Sequence, residues 1–269
     1  MQTQEIFLEV GPTNLKTLII GELEVDKPCI VLLHGGLDCL ETWKDFPAEL
    51  ARQTKLPVVA YERFGHGYSG KLTAIRKPDY RHVEAQSVLP AVLEKFGLNK
   101  VILAGHSDGA VIALLAAASL PEKVIGVCAV APPLAPTSTA ARDGIRIAVK
   151  HYESGQLAEK LRRYHGERTE SLFFYGWASA WLSEDFNDWS CDEDLRNIQS
   201  PVHLVYGKED EYGFHESLQL LVEYVQAPLD IQILKEVGHM PHHHAREEVI
   251  ESIKRLIQRE VLTEKSKVA

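Results

Sequence analysis

The sequence predicts an α/β fold in which a mostly parallel sheet is covered by helices on both faces. Short apolar runs of strand length alternate with segments of helical spacing, and no internal repeat or low-complexity linker interrupts them. The clearest instance is residues 100–119, KVILAGHSDGAVIALLAAAS, where a buried strand, a tight turn and an apolar helix follow one another. Strands that alternate with helices imply right-handed crossovers and therefore parallel strand pairs.

Each predicted element rests on the spacing of its apolar residues. The first two strands flank Gly11-Pro12-Thr13-Asn14, so we expect an antiparallel hairpin there. The predicted strands are residues 5–10, 15–23, 29–33, 57–61, 101–104, 124–130, 202–206 and 229–234. The predicted helices are residues 41–53, 80–96, 110–118, 142–154, 156–164, 170–182, 215–224 and 246–260. Pro90 should kink or break the second helix, and we expect the chain to fray from Leu262 onward.

The stretch between the sixth and seventh predicted strands departs from the alternation. Residues 134–197 contain no apolar run of strand type and consist of helical segments rich in aromatic and charged residues. We interpret residues 133–197 as a helical cap inserted into a single domain, residues 1–269. The core of that domain is then formed by residues 1–132 and 198–269.

Composition limits the classes of protein to consider. The chain has 269 residues, 45% hydrophobic and 25% charged, which is enough for a full hydrophobic core. Its net charge of −9 argues against nucleic acid or an anionic membrane as a partner. Residues 1–10 show no signal-peptide pattern, and the longest apolar run, Ala110 to Ala118, is about half the length that spans a bilayer. Cys29 and Cys128 should be buried, reduced thiols. These features predict a cytoplasmic protein.

The turn within residues 100–119 carries the strongest functional signal. Gly105, Ser107 and Gly109 form a G-x-S-x-G sequence between a strand and a helix, which is typical of a nucleophile elbow. The turn forces the serine into a strained backbone conformation, and its neighbours must lack side chains because strand and helix approach closely. A serine hydroxyl becomes a good nucleophile only when an oriented base removes its proton.

The acid and the base of such a site are expected at the carboxyl ends of other strands. Asp210 follows the strand 202–206 with G-x-x-D spacing, and Glu209 and Glu211 are its immediate rivals. His239 follows the last strand, which gives the chain order serine, acid, histidine expected for this architecture. We therefore predict a catalytic triad of Ser107, His239 and Asp210.

Two other motifs near strand ends invite different interpretations. His239 and the run His242-His243-His244 resemble a metal site, but no carboxylate or cysteine lies at ligand spacing nearby. We predict no metal there and a solvated start to the last helix. Residues 65–70 match G-x-G-x-x-G after a strand, yet residues 71–78 are loop-like, whereas a dinucleotide fingerprint opens directly into a helix.

An oxyanion hole requires two backbone N–H groups that converge on the developing negative charge. One should belong to Asp108, at the start of the helix, and the other to Gly36 in the loop His34-Gly35-Gly36, with Leu37 as the alternative. The carboxylate of Asp108 would place a negative charge beside the nucleophile, so neutral acyl groups should be preferred over anionic ones.

The cap region carries residues that could define a pocket. Its aromatic residues could line a substrate site, although most are expected to pack the cap onto the core. These residues are Tyr152, Tyr164, Phe173, Phe174, Tyr175, Trp177, Trp181 and Trp189. Three arginines, Arg162, Arg163 and Arg168, could instead hold a substrate carboxylate, and the sequence does not decide between these alternatives.

Taken together, these motifs resemble the α/β-hydrolase superfamily over essentially the whole chain. Besides the elbow, acid and histidine segments, residues 32–36 resemble its oxyanion loop. Residues 61–69 resemble its D-x-x-G-x-G-x-S loop, with Glu62 in place of the aspartate. The resemblance implies an eight-stranded sheet, a helical cap after strand six and no cofactor.

The resemblance also narrows the reaction. A serine at the elbow excludes the haloalkane dehalogenase and epoxide hydrolase branches, which place aspartate there. The C–C bond hydrolases usually show Gly-Asn-Ser-Met-Gly, from which His106 and Asp108 depart. We predict a hydrolase that cleaves a small-molecule ester, thioester or lactone through an acyl-enzyme. The alternatives are C–C hydrolysis, a lyase or an acyltransferase on the same triad, or a ligand receptor with a vestigial site; the oligomeric state stays open.

Overall fold

A twisted eight-stranded sheet forms the centre of the computed structural model, which describes residues 1–25, 27–136 and 138–268, with side chains to residue 259. The strand order is β1-β2-β4-β3-β5-β6-β7-β8. The strands are β1 Thr3–Val10, β2 Thr13–Ile20, β3 Cys29–Leu33, β4 Val58–Tyr61, β5 Val101–His106, β6 Val124–Val130, β7 Val202–Gly207 and β8 Leu229–Leu234. The predicted eight-stranded sheet is confirmed.

The sheet contains both antiparallel and parallel strand pairs. β1 and β2 pair antiparallel across a tight turn in which Gly11 adopts a φ of 57°, a conformation that glycine reaches without strain. β2 is also antiparallel to β4, whereas β3 to β8 run parallel to one another. The predicted hairpin and the mostly parallel sheet are therefore both present.

Helices cover the sheet on both faces, because successive residues of the buried strands point to opposite sides. Val101 and Leu103 of β5 join one apolar cluster, and Ile102 and Ala104 join the other. The helices are α1 Phe46–Thr54, α2 Tyr80–Val83, α3 Leu89–Lys95, α4 Asp108–Ser119, α5 Thr139–Glu153, α6 Gln156–His165, α7 Ser179–Leu182, α8 Asp192–Arg196, α9 His215–Tyr224, α10 Pro241–His244 and α11 Arg246–Val268. The side chains of α1 and α11 belong to one cluster, and those of α3, α4, α8 and α9 to the other.

Two helices differ from the sequence prediction in detail. The helix predicted over residues 80–96 is continuous but contains a π-helical turn, Glu84–Val88, just before Pro90. The wider turn accommodates a residue that cannot donate the usual backbone hydrogen bond, so Pro90 alters the helix without ending it. The last helix continues to Val268, so the expectation that the chain frays from Leu262 was wrong.

Between β6 and β7 the described residues form helices and loops but no strand, as the sequence predicted for residues 134–197. α5, α6 and α7, with the π-helix Ser171–Ala178, enclose an apolar cluster of their own that includes Ile145, Phe173 and Trp181. This cluster lies apart from the two that cover the sheet.

The register of the parallel strands brings several loops to one edge of the sheet. Leu33 at the end of β3 is level with Gly105, and His106 is level with Val130 at the end of β6. Gly207 at the end of β7 is level with Leu234. The loops that follow β3, β5, β7 and β8 therefore start side by side, which is where parallel α/β proteins place their sites. No helix in the described part of the chain is long and apolar enough to cross a membrane.

The tight crossing of β5 and α4 generates a stability prediction. A Cβ at Gly109 would overlap the carbonyl oxygen of Leu33, and backbone cannot move aside as a side-chain end can. Gly109→Ala should lower the free energy of unfolding by at least about 2 kcal/mol, measured by urea denaturation followed by circular dichroism.

Gly126→Ala is the matched control. Gly126 is also buried in the sheet, but a Cβ there would lie 3.3 Å from the end of the flexible Leu256 side chain. We expect a loss below about 1 kcal/mol for this variant. Equal losses in both variants would contradict the argument that the crossing requires glycine at position 109.

Candidate active site

Ser107 lies at the sharp turn between β5 and α4, as predicted. Its backbone angles are φ 52° and ψ −120°, a strained conformation for a residue with a side chain. The first turn of α4 passes so close to β5 that a Cβ at Gly105 would overlap the carbonyl oxygen of Gly109. The serine side chain is left half-buried and lines a pocket.

The structure brings Ser107, His239 and Asp210 together, although they come from three separate loops. His239 Nε2 lies 3.0 Å from Ser107 Oγ, and its Nδ1 lies 2.8 Å from Asp210 Oδ2. Because the carboxylate accepts the Nδ1 proton, Nε2 is left to accept the serine proton. This is the arrangement in which a histidine can act as a general base toward a serine hydroxyl.

The rival acids take other roles. Asp210 also accepts the backbone N–H of Tyr212 at 2.9 Å, which fixes the orientation of its carboxylate. Glu211 accepts the backbone N–H of His239 at 3.2 Å and does not contact the imidazole ring through a hydrogen bond. Burial alone would lower the pKa of His239, but the hydrogen bond and charge of Asp210, together with Glu211, raise it above its ordinary value.

His106 contributes a contact that the sequence did not suggest. Its Nε2 donates to the backbone carbonyl of His239 at 2.8 Å, and its Nδ1 lies 3.2 Å from Asp38 Oδ2. The ring thus connects the residue before the nucleophile to the backbone of the candidate base. Burial alone would raise the pKa of Asp38, but the hydrogen bond and charge of His106 lower it.

Gly36 and Leu37, the two candidates for the first oxyanion donor, both line the pocket beside Ser107. A Cβ at Gly36 would lie 2.7 Å from Cδ1 of Trp177, so the loop packs directly against a side chain of the helical insertion. Asp108, the other candidate donor, is the first residue of α4, where backbone N–H groups are free of helical partners.

The side chain of Asp108 does not lie where the sequence analysis placed it. It is buried away from the pocket, where it accepts hydrogen bonds from Tyr80 Oη at 2.6 Å and from Arg81 Nε at 2.8 Å. Arg63 Nη1 lies 3.6 Å from its other side. Burial alone would raise the pKa of Asp108, but Arg81 and Arg63 hold it at about 2. The expected negative charge beside the nucleophile is therefore neutralised, and the preference for neutral acyl groups loses its basis.

Arg81 joins this carboxylate to the helical insertion. The guanidinium group is fully buried and lies over the ring of Trp181 at 4.3 Å, with Trp189 at 4.9 Å and Phe186 at 5.6 Å. Such contacts stabilise a desolvated cation in addition to its ion pair. The aromatic residues of the insertion thus enclose a charge that is paired with the residue after Ser107.

A pocket of about 590 Å³ opens over Ser107 and His239. The helical insertion forms one wall, which is largely apolar and includes Ile145, Leu161 and Trp177. Lys44 and Lys160 also line the pocket, and neither forms a salt bridge within the described residues. The predicted arginines 162, 163 and 168 do not line it.

The aromatic residues of the insertion divide into two groups. Tyr164, Trp177 and Trp181 line the pocket, whereas the remaining five do not. Tyr152 stacks on Phe173 at 4.0 Å inside the insertion, and Tyr175 is exposed. The expectation that most of these residues serve packing is consistent with this division.

The histidine run after His239 is solvated only in part, so the predicted solvated helix start was wrong for His242. His242 is buried and packs between Trp43 and His106, at ring separations of 4.9 and 4.3 Å. His243 and His244 line the pocket. Among the described residues, no group of three or more His, Cys, Asp or Glu side chains is arranged to hold a metal ion.

The sequence is similar to one protein family and to several characterised proteins. Residues 30–252 match the profile of the alpha/beta hydrolase family. Proline iminopeptidase from Lactobacillus delbrueckii subsp. lactis is 28% identical over 115 residues, 43% of this chain and 39% of that protein. Mouse protein phosphatase methylesterase 1 is 29% identical over 133 residues, 48% of this chain and 33% of that protein. The chain matches less than half the length of these curated relatives.

Solved structures share the whole fold at low sequence identity. A serine hydrolase involved in carbazole degradation superposes with a TM-score of 0.73 and 18% identity, covering 96% of this chain and 99% of that one. Proline iminopeptidase from Mycobacterium smegmatis gives a TM-score of 0.70 and 17% identity, over 97% and 100% of the two chains. With an eight-stranded sheet of the same fold and a family match over most of its length, this chain belongs to the alpha/beta hydrolase family.

Proposed function

We propose that this chain is a serine hydrolase that cleaves a carboxylic ester, thioester or lactone of a small molecule through an acyl-enzyme. The observation that carries the proposal is the hydrogen-bonded chain from Ser107 Oγ to His239 Nε2 and from His239 Nδ1 to Asp210 Oδ2, at the wall of a pocket. No group besides these side chains and water is needed for this chemistry.

The proposed reaction proceeds in two steps. His239 takes the proton of Ser107 while Oγ attacks the carbonyl carbon, and the same proton then passes from Nε2 to the leaving alkoxide or thiolate. His239 next takes a proton from water, whose oxygen attacks the acyl carbon. The bond from that carbon to Ser107 Oγ then breaks, His239 returns the proton to Oγ, and the acid is released. In both steps the backbone N–H groups of Gly36 and Asp108 stabilise the tetrahedral oxyanion, and Asp210 stabilises the imidazolium ion.

We also propose that residues 133–197 act as a cap over Ser107. The support is that α5, α6 and the π-helix supply the apolar wall of the pocket, while Trp177 packs on the oxyanion loop at Gly36. Such a wall excludes water from an acyl chain bound beside the nucleophile.

The pocket contains two lysines as well as two carboxylates. Asp38 is paired with His106, and Glu211 accepts the backbone N–H of His239 and keeps its charge. Lys44 and Lys160 have no ion-pair partner among the described residues. These two cations favour an anionic group on the substrate.

Replacing the nucleophile tests the proposal directly. Wild-type protein should react with a fluorophosphonate probe and hydrolyse short-chain p-nitrophenyl esters, and Ser107→Ala should abolish labelling and lower kcat by at least about 10³-fold. Ser119→Ala is the control, because Ser119 lies at the far end of α4. A Ser107→Ala variant with full esterase activity would contradict the proposal.

The pH dependence should report on His239. The imidazole acts as a base only when neutral, so kcat/KM should rise with pH through a pKa above the ordinary histidine value. Glu211→Gln keeps a hydrogen-bond acceptor for the backbone N–H but removes a negative charge, which should move the acidic limb to lower pH. Glu209→Gln, at an exposed position, should leave the limb in place. A limb that shifts to higher pH in Glu211→Gln would refute this assignment.

A matched pair of esters tests the role of the lysines. p-Nitrophenyl succinate places a carboxylate where the butyrate ester has a methyl group. At low ionic strength we expect kcat/KM for succinate to exceed that for butyrate, and this advantage to disappear at about 0.5 M salt. Replacing both Lys44 and Lys160 by Met should remove it as well, whereas Lys208→Met, outside the pocket, should not. A preference for butyrate under all these conditions would exclude this role.

A further inference from the structure

Four consecutive carbonyl groups after β3, those of His34 to Leu37, accept hydrogen bonds from side chains that do not line the pocket. Arg63 Nη2 donates to the carbonyl oxygens of His34 and Gly35, at 3.0 and 2.8 Å. The Gly35 carbonyl also accepts from His34 Nδ1 at 2.9 Å and from the backbone N–H of Asp38 at 3.3 Å. His66 Nε2 lies 3.1 Å from the carbonyl oxygen of Gly36. His165, the last residue of α6, lies 3.0 Å from that of Leu37 through its Nε2.

Because of the geometry of the peptide bond, a contact that fixes a carbonyl group also fixes the direction of the next backbone N–H. Every described peptide bond is trans, so the C=O of one residue and the N–H of the next point in opposite directions. A hydrogen bond to the Gly35 carbonyl therefore directs the Gly36 N–H toward the pocket. A hydrogen bond to the Gly36 carbonyl directs the Leu37 N–H in the same way. Arg63 thus makes the shortest contact with the carbonyl behind one candidate oxyanion donor, and His66 contacts the carbonyl behind the other.

Arg63 contacts more of the groups around the candidate oxyanion donors than His66 does. Its side chain is only 1% exposed, and its backbone N–H donates to His34 Nε2 at 3.0 Å. The same guanidinium group lies 3.6 Å from Asp108, whose own backbone N–H is the second oxyanion donor of the proposed mechanism. Only a planar, permanently charged fork can reach two carbonyls and a carboxylate at once. Arg63 does not line the pocket, so it cannot contact a substrate.

We propose that Arg63 is a positioning residue for the oxyanion hole, where it orients the Gly36 N–H through the Gly35 carbonyl and the start of α4 through Asp108. This inference rests on the proposed serine-ester hydrolysis and deepens it. It also distinguishes between the two candidate donors, because it assigns the role to Gly36 and leaves Leu37 as the lesser contributor.

The first experiment compares transition-state and ground-state binding in Arg63→Lys, which keeps the charge beside Asp108 but cannot reach both carbonyls. An alkyl trifluoromethyl ketone forms a hemiketal oxyanion with Ser107, whereas the corresponding carbinol cannot. We expect kcat to fall by about 10- to 100-fold with KM within about threefold. Ketone affinity should fall by the same factor as kcat/KM, and carbinol affinity should not change.

Arg81→Lys is the matched control, because Arg81 pairs with the same carboxylate but makes no contact with the oxyanion loop. We expect its ketone affinity to fall less than that of Arg63→Lys. Equal falls would place the effect at Asp108 alone and overturn the proposal, as would an Arg63→Lys enzyme with wild-type kcat. A larger fall in His66→Gln than in Arg63→Lys would assign the donor to Leu37 and overturn it too.

Wild-type protein provides a measurement that does not depend on a variant that folds. In the nitrogen-15 NMR spectrum the Gly36 amide proton should move downfield when the ketone binds and should not move with the carbinol. An unmoved Gly36 amide overturns the proposal. A wild-type protein that neither hydrolyses esters nor binds the ketone contradicts the proposed function itself, whereas one that does both with an unmoved Gly36 amide contradicts only the role of Arg63.

Discussion

The close crossing of β5 and α4 is the constraint on which the site depends. Because glycines at positions 105 and 109 let the strand and the helix approach, the three residues between them point in different directions. His106 reaches the backbone of His239, Ser107 reaches its imidazole ring, and the Asp108 side chain enters the core toward Arg63 and Arg81. Three adjacent residues thus connect Ser107 to His239, to Arg63 beneath the loop after β3, and to the helical insertion.

The buried charges beside Ser107 are stable only when all their partners are present. Asp108 is surrounded by two buried guanidinium groups and the hydroxyl of Tyr80, and the aromatic rings of the insertion cover Arg81. A buried ion pair adds little net stability over an apolar pair, but the loss of one partner leaves an unpaired charge at about 3–5 kcal/mol. The arrangement is therefore better understood as a source of defined geometry than as a source of stability.

Most of the fold and the central site residues could be predicted from the sequence. Strands and helices follow local periodicity. Ser107 and Asp210 each follow a buried strand, and His239 follows the partly exposed outer strand β8. The side-chain environments could not be predicted, because they depend on distant partners. Asp108 meets Arg81 across 27 residues, and His165 meets Leu37 across 128. The prediction for His242 was wrong for the same reason, because the Trp43 and His106 rings that bury it come from other parts of the chain.

The pairing of Asp108 with Arg63 and Arg81 has a consequence for how the sequence can drift. The side chain of Asp108 does not line the pocket, so selection for a new substrate has no direct reason to change it. An uncharged residue at position 108 would instead leave two buried cations without their carboxylate, and would require compensating replacements at positions 63 and 81. Among natural variants of this chain, these three positions should therefore change together or not at all, and Trp181 over Arg81 should change with them.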